Sequence, residues 1–248
     1  MMKVPKNIVP GFFTVGNMFC GFYSVIAAFQ GKIELAAWMI FAGAFLDAVD
    51  GKIARFTRTS SQFGVEYDSL ADVISFGLAP SFLIYTIFGQ SMRIPGILIS
   101  FLPLLFGSIR LARFNTRLKG FNKEFFSGLP IPISALTLAS FIIFSSYFFD
   151  NAIKYPRLLI ILILLVSTLM ISNIRYDVAP DLNFKGSRRD KIKVVMVIIG
   201  FIILIIFPQE ALFPIMMLYI LFGLFSWLFR LNKDQNTSDN EVVSESED

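Results

Sequence analysis

Long apolar runs separated by short charged segments are the feature that most constrains how this chain can fold. Eight such runs lie near residues 8–30, 33–49, 65–89, 94–114, 129–149, 155–174, 192–208 and 211–231. Each is long enough, or nearly so, to cross the ~30 Å hydrocarbon layer of a bilayer as an α-helix. The runs lack the alternation of barrel strands, and backbone amides in lipid must be satisfied within their own segment. The sequence therefore predicts an all-α polytopic membrane protein with about eight transmembrane helices.

The distribution of positive charge predicts the orientation of these helices. The chain has 22 Lys and Arg residues, and all but four of them fall at the termini or in the stretches 50–64, 110–128 and 175–193. This bias follows the positive-inside rule for an integral protein of the inner (cytoplasmic) membrane, with both termini in the cytoplasm. The net charge of +4 then lies beside anionic lipid headgroups, so it does not indicate nucleic-acid binding.

Residues 1–231 are predicted to form one membrane-embedded catalytic domain. Residues 232–248 lose hydrophobic periodicity and turn acidic, which predicts a disordered cytoplasmic tail. The single cysteine, Cys20, excludes an intramolecular disulfide, and the chain has no histidine. Thiol-pair and histidine chemistry are therefore excluded.

Two pairs of aspartates form the most informative motif. Asp47 and Asp50 are three residues apart, and Asp68 and Asp72 are four apart, so each pair shares one face of a helix. A helix hairpin that turns near residues 57–63 would bring the two faces together. We therefore expect one acidic cluster at the cytoplasmic surface of the membrane.

Such a cluster needs counter-charge. Four close carboxylates repel one another, and each costs roughly 2.5–3.5 kcal/mol near the hydrocarbon. Two divalent cations would cancel the formal charge, and all-oxygen ligands favour Mg²⁺ or Mn²⁺. Because the usual partner of these ions is a phosphate or pyrophosphate oxygen, the cluster predicts a phosphoanhydride substrate.

The residues that follow the first aspartate pair favour the same substrate. Gly51 lies four residues after Asp47, and Ala54 lies four after Asp50, so a ligand could approach the helix backbone there. Arg55 adds a guanidinium that can bind phosphate oxygens. These residues predict that phosphate groups bind beside the metal site.

The motif as a whole matches a known signature. Residues 47–72 contain DxxDGxxAR, eight residues and GxxxDxxxD, so the chain resembles the CDP-alcohol phosphotransferase family. That resemblance implies a homodimer with a core of six helices, to which this chain adds two C-terminal helices. It also implies two metal ions and transfer of a phosphatidyl or related group from a CDP-linked donor to an alcohol, with release of CMP.

The resemblance also assigns roles within the motif. It implies that the two metal ions are held by Asp47, Asp50, Asp68 and Asp72, and that Asp72 takes the proton from the attacking hydroxyl. The expected CDP- and phosphate-binding residues are Gly51, Ala54, Arg55, Gly64 and, on the first helix, Asn17.

Four further stretches, 71–80, 110–115, 127–132 and 172–185, resemble the phosphatidylserine synthase branch of the family. This resemblance implies CDP-diacylglycerol as donor and L-serine as acceptor. Serine brings a carboxylate that needs a cation, and Arg110 and Arg113 begin at the membrane boundary. We therefore expect Arg110, Arg113 and Asn115 to contribute to binding of the acceptor or of phosphate.

Two alternatives remain open at the sequence level. Another member of the family could use glycerol 3-phosphate or an inositol phosphate as acceptor, which would require more cationic groups. An ion-coupled transporter could also carry acids within the membrane, although such sites usually lie near mid-membrane in repeated halves. Metal-dependent release of CMP from a CDP-lipid would distinguish an enzyme from a transporter.

Overall fold

The computed structural model describes residues 8–57, 62–118, 128–149, 156–174, 176, 200, 203–204 and 206–245. Within these ranges the chain forms helices and turns and no strand. The helices are α1 (Ile8–Phe29), α2 (Ile33–Thr57), α3 (Gln62–Asp72), α4 (Ala79–Ile84), α5 (Arg93–Leu118), α6 (Ile131–Phe149), α7 (Pro156–Ile171) and α8 (Pro208–Glu245). The π-helical segments Val73–Leu78 and Tyr85–Gly89 flank α4, so Gln62–Gly89 is one continuous helical segment.

Five helical segments are long and apolar enough to cross a membrane. They are Gly11–Phe29, Gln62–Gly89, Arg93–Thr116, Ile131–Phe149 and Pro208–Leu228. Large apolar side chains such as Phe12 and Phe22 are exposed on the surface, as expected for a protein whose solvent is lipid. The prediction of an all-α polytopic membrane protein is confirmed.

The predicted number of eight helices is not established by these residues. α7 is a shorter apolar helix, and α2 carries Glu34 and two of the aspartates within its length. Most of the seventh predicted run, 192–208, lies outside the described residues. The helical backbone of α8 extends to Glu245, into the acidic segment for which the sequence predicts disorder, and the division into a domain and a tail stays a prediction.

Close contact between α1 and the helices that follow it fixes the site. A Cβ atom on Gly21 would lie 2.6 Å from Ser75 Cα, so only glycine lets the two backbones touch here. Ser75 Oγ donates a hydrogen bond to the Asn17 carbonyl (2.8 Å). Ser24 Oγ donates another to the Ala36 carbonyl (2.8 Å). α1 is therefore held against both α2 and the helical segment that carries Asp72.

A change in helix type follows the last aspartate of the motif directly. The π-helical segment begins at Val73, and the Ala79 N–H donates to the Ile74 carbonyl, five residues back. Pro80 comes next and has no N–H to continue an α-helical ladder. Such π-turns are frequent at functional sites. The regular α-helical spacing of the motif thus ends at Asp72.

The start of α6 is tied to the end of α7. Gly128 has a φ of +87°, and a Cβ atom there would lie 2.3 Å from the Met170 carbonyl oxygen. The Gly128 N–H donates to the Ile174 carbonyl (2.8 Å), and the Leu129 N–H donates to the Leu169 carbonyl (2.9 Å). Both the conformation and the space require glycine at this position.

The variant Gly128→Ala is expected to lower the free energy of unfolding by about 2 kcal/mol or more, since a left-handed backbone alone costs about 1–2 kcal/mol for a residue with a Cβ. The clash with Met170 adds to that cost. Thermal unfolding in detergent measures the effect. Gly11→Ala is the matched control, because a Cβ there meets nothing within 4 Å. Equal unfolding temperatures for the two variants would contradict this interpretation of Gly128.

Candidate metal centre

Three aspartates from two helices converge at one point. One carboxylate oxygen each of Asp47, Asp68 and Asp72 lies within 4.8 Å of the other two. Asp68 and Asp72 are one turn apart on α3, and α2 presents Asp47 to the same face. Oxygen ligands of one Mg²⁺ lie at most about 4.2 Å apart, so small rotations of these half-buried side chains would let them share an ion.

The fourth aspartate of the motif, Asp50, is adjacent but more deeply placed. Its side chain is 6% exposed, and its charge repels those of Asp47 and Asp68. Thr14 Oγ1 on α1 donates a hydrogen bond to Asp50 Oδ2. Within the described part of the chain, Asp50 Oδ1 has no hydrogen-bond partner. The structure thus brings all four aspartates of the motif into one acidic site.

α1 contributes two polar side chains to this site. Asn17 is fully buried, and its Nδ2 donates to Asp72 Oδ1 at 3.5 Å. Thr14 lies one turn earlier on the same face of α1 and binds Asp50. Sequence reasoning included Asn17 among the site residues but missed Thr14. The available signal was the three-residue spacing of the two polar residues on an otherwise apolar helix.

The donor set fits divalent cations. Carboxylate oxygens are the ligands that Mg²⁺ and Mn²⁺ prefer, and here they are close together and half-buried. A buried oxygen without a partner, Asp50 Oδ1, costs free energy unless it binds something. Bound cations would offset both the repulsion among the carboxylates and this unsatisfied oxygen.

A buried arginine side chain interacts with Asp72. Arg110, on α5, is 9% exposed and interacts electrostatically with Asp72. Its Nε has no hydrogen-bond partner among the residues that the structure describes. A buried guanidinium with an unused donor is costly unless a ligand satisfies it. Arg110 is therefore available to bind an anion beside the acidic site.

The other two residues predicted with Arg110 make different contacts. Arg113 is exposed, and its Nη1 donates to the Ile171 carbonyl at the end of α7 (3.4 Å). Asn115 Nδ2 donates to Ser69 Oγ (3.0 Å) and to Glu66 Oε2 (3.3 Å). Arg113 thus caps α7, and Asn115 ties α5 to α3.

The remaining residues of the motif line the cytoplasmic end predicted for these helices. Gly51 and Gly64 are exposed, and a Cβ on Gly51 would meet nothing within 4 Å. There is accordingly open space next to the acidic site. Ala54 and Arg55 belong to the helical backbone of α2, and their side chains lie outside the described part of the structure.

Comparison with known protein families gives a match over the region that contains the motif. Residues 7–156 match the CDP-alcohol phosphatidyltransferase family. The chain is 36% identical over 229 residues to a protein of Helicobacter pylori named CDP-diacylglycerol–serine O-phosphatidyltransferase, and the alignment covers 92% of this chain and 94% of that one.

Two further relatives come from other organisms. An archaetidylserine synthase of Methanothermobacter thermautotrophicus is 35% identical over 68% of this chain and 69% of its own length. A CDP-diacylglycerol–serine O-phosphatidyltransferase of Bacillus subtilis is 36% identical over 53% of this chain and 73% of its own length. All three names specify a seryl product or a serine acceptor.

Proposed function

The chain belongs to the CDP-alcohol phosphatidyltransferase family, and we propose that it is a phosphatidylserine synthase that works with two divalent cations. In the proposed reaction the L-serine hydroxyl attacks the phosphatidyl phosphorus of CDP-diacylglycerol. The bond between that phosphorus and the oxygen of CMP breaks, and the hydroxyl proton passes to the enzyme. The products are phosphatidylserine and CMP.

The observation that carries this proposal is the convergence of three carboxylates, from Asp47, Asp68 and Asp72, within 4.8 Å in a member of this family. A phosphoanhydride brings negative charge to a site that is already acidic. Bound cations would offset the repulsion between the phosphoanhydride and the carboxylates. The choice of serine is supported by the names of the relatives, including one aligned over 92% of this chain.

The four aspartates divide into two roles in this proposal. Asp47, Asp50 and Asp68 would hold the cations, with Asp72 as a further candidate ligand, and the Thr14 hydroxyl orients Asp50. When bound, the two ions stabilise the charge that develops on the phosphate oxygens and on the leaving CMP. Mg²⁺ and Mn²⁺ are the two ions whose ligand preferences match this site.

Asp72 is the proposed base. Serine hydroxyl is a weak nucleophile at neutral pH, so a positioned proton acceptor is required. The Asn17 amide holds one carboxylate oxygen of Asp72, which leaves the other oxygen to accept the proton. Arg110 lies near Asp72 and interacts with it electrostatically.

The donor nucleotide is proposed to bind along the exposed end of α2 and α3. Open space at Gly51 lets phosphate oxygens approach the helix backbone. Arg55 follows one turn later in the sequence of α2 and would supply a guanidinium, and Ala54 and Gly64 are the small residues that the motif places beside it. Asn17 borders the same space from α1.

Arg110 is the proposed ligand of the acceptor's carboxylate. Arg110 is the buried one of the three predicted residues. Arg113 and Asn115 bind other parts of the protein instead. A charge-assisted hydrogen bond to a buried guanidinium is worth about 1.5–3 kcal/mol. Arg113 and Asn115 then act through the packing of α5.

Arg110→Gln is expected to lower kcat/KM for serine by about 10- to 100-fold, because it removes a charge-assisted hydrogen bond. Arg113→Gln is the matched control on the same helix, and its kcat/KM is expected to stay within about threefold of wild type, as for other exposed side chains. CMP release at varied serine concentration measures both. Equal losses in the two variants would contradict the assignment of Arg110.

The orientation and assembly belong to the same proposal. The bias of Lys and Arg residues supports an orientation with both termini and the acidic site in the cytoplasm. CTP-derived donors and serine are found on that side of the membrane. The chain is proposed to act as a homodimer among membrane lipids, as its family membership implies. Accessibility of single cysteines introduced near Gly64 to a membrane-impermeant thiol reagent would test the orientation.

The function is tested with purified protein, CDP-diacylglycerol in mixed micelles and Mn²⁺ or Mg²⁺. L-serine, glycerol 3-phosphate and inositol phosphate are offered in turn, and CMP and the lipid product are measured. Serine is expected to support release of CMP and formation of phosphatidylserine. Release with glycerol 3-phosphate but not with serine would overturn the proposed acceptor, and no CMP release with any acceptor would overturn the proposed reaction.

A further inference from the structure

Two tyrosines beyond the region of the family match lie next to the proposed acceptor site. Tyr176 follows α7, Tyr219 is on α8, and their rings stack with centroids 5.8 Å apart and an interplanar angle of 27°. Tyr219 interacts electrostatically with Arg110 on α5 and with Tyr176. Tyr219 therefore links Tyr176 to Arg110, which also interacts with Asp72.

Helix α8 is shaped to receive the Tyr176 ring. A Cβ atom on Gly223 would lie 2.2 Å from Tyr176 Cε1 and 2.4 Å from its Cδ1. Any residue larger than glycine at 223 would displace the ring. Tyr176 is 3% exposed, so the ring is held between α8 and the rest of the protein in one position.

Two polar atoms of this cluster are buried without a partner. Within the described residues neither the Tyr176 hydroxyl nor Arg110 Nε has a hydrogen-bond partner. Buried hydroxyl and guanidinium groups are nearly always hydrogen-bonded, because the loss of water is otherwise uncompensated. Both groups can donate a hydrogen bond, so a ligand that satisfies them must offer acceptor oxygens.

The protonation state of Tyr176 supports a donor role. Burial and the neighbouring Tyr219 raise the pKa of Tyr176 to about 12. The phenol therefore keeps its proton at any physiological pH and can donate to an anion. The Arg110 guanidinium and the neutral Tyr176 phenol are both hydrogen-bond donors suited to the acceptor oxygens of an anion.

We propose that Arg110 and Tyr176, with Tyr219 and Gly223 holding the Tyr176 ring in place, form the subsite that binds the carboxylate of an amino-acid acceptor. This inference rests on the proposed function and adds to it residues from the C-terminal part of the chain. The family match ends at residue 156, whereas three of these four residues lie beyond it. The phosphotransfer reaction common to the family would thus use residues of α1 to α6. Selection of an amino acid as acceptor would also use α8 and the segment that follows α7.

The acceptor's carboxylate suits this subsite better than a phosphate of the donor does. Arg110 lies beside Asp72, the proposed base, and in serine the carboxylate is separated from the hydroxyl by only two carbon atoms. In the proposed function the donor phosphates would be bound instead at the cations, which the aspartates would hold. An anion at Arg110 and Tyr176 would therefore leave its hydroxyl directed towards the base.

The test is steady-state kinetics of Tyr176→Phe, with serine and CDP-diacylglycerol varied separately. Removal of one hydrogen bond to a carboxylate is expected to raise the KM for serine by about 10- to 100-fold. The KM for CDP-diacylglycerol is expected to stay within twofold of wild type. Gly223→Ala, which changes no hydrogen-bonding group but displaces the ring, is expected to raise the serine KM in the same way.

Tyr23→Phe is the matched control, because Tyr23 is on the lipid-facing side of α1 and stacks on Phe19. It is expected to leave both KM values unchanged. An unchanged serine KM in Tyr176→Phe would overturn the subsite. A raised KM for CDP-diacylglycerol would instead assign Tyr176 to the donor phosphate and equally overturn it.

The outcome also separates this inference from the proposed function. If wild-type protein releases no CMP with serine, the proposed function fails. If wild-type protein is active with serine but Tyr176→Phe and Gly223→Ala keep a normal serine KM at a normal unfolding temperature, only the subsite fails.

Discussion

Replacement of Asp72 by Asn is expected to reduce the turnover number by about 10²- to 10⁴-fold, the usual contribution of a positioned general base. Asparagine keeps the size of the side chain and still accepts a hydrogen bond from Asn17, but it cannot take up the serine proton. The affinity for CDP-diacylglycerol is expected to stay close to that of wild type. CMP release at saturating Mn²⁺ and equilibrium binding of the CDP-lipid provide the two measurements.

Glu34→Gln is the matched control for this variant, because Glu34 lies at the other end of α2 and accepts a hydrogen bond from Gln209. Its turnover number is expected to remain within twofold of wild type. Near-normal turnover of Asp72→Asn with saturating metal would show that another group accepts the proton. Loss of donor binding in that variant would instead assign Asp72 to binding of the nucleotide through the cations.

Removal of divalent cations is expected to abolish turnover altogether. Without cations the site holds four carboxylates whose mutual repulsion opposes binding of a pyrophosphate. Addition of Mn²⁺ or Mg²⁺ is expected to restore CMP release. Ca²⁺ is expected to restore much less, because its longer bonds of about 2.3–2.6 Å and higher coordination number suit the site poorly.

The same treatment gives a readout that does not depend on activity. A ligand that binds only the folded state stabilises it, by about 2.7 kcal/mol at 100 times its dissociation constant. The unfolding temperature in detergent is therefore expected to rise with Mn²⁺ in wild type and to rise less in Asp47→Asn. Full turnover in excess chelator, or a rise of equal size in both proteins, would contradict the assignment of the acidic site to metal.

Much of the fold could be predicted from the sequence, because a bilayer imposes simple requirements on it. Uninterrupted apolar runs must be helices, so five of the eight predicted runs match described helical segments closely. α2 was harder to delimit, since it continues past the predicted end of its apolar run to Thr57. The π-helical segment after Asp72 could not be predicted, because it depends on packing against α1 as well as on Pro80.

The candidate site was predictable where its residues are close in sequence. The spacing of the aspartates was sufficient to bring Asp47 next to Asp68 and Asp72, since helical periodicity and a short connection leave few arrangements. The spacing of Arg110 and Arg113 was not sufficient to separate their roles. Arg110 packs inward and interacts with Asp72, whereas Arg113 donates to the Ile171 carbonyl. This difference depends on where α7 packs, which the sequence does not show.

Residues distant in sequence were the ones that sequence reasoning missed. Thr14 is a polar residue within an apolar run, and its contact with Asp50 depends on how α1 crosses α2. Tyr176 lies in the stretch 172–185, but nothing in that stretch predicts a contact with Tyr219, which lies in no motif. Their relation to Arg110 arises only when α8 packs against the segment that follows α7.

The number of Mn²⁺ ions bound per chain in the presence of CDP-diacylglycerol tests the acidic site most directly. Electron paramagnetic resonance of the purified protein gives that number, with Asp68→Asn as the comparison. Two ions per wild-type chain and fewer in Asp68→Asn are the expected result. No bound ion in a preparation that still converts CDP-diacylglycerol and serine to CMP and phosphatidylserine would contradict it.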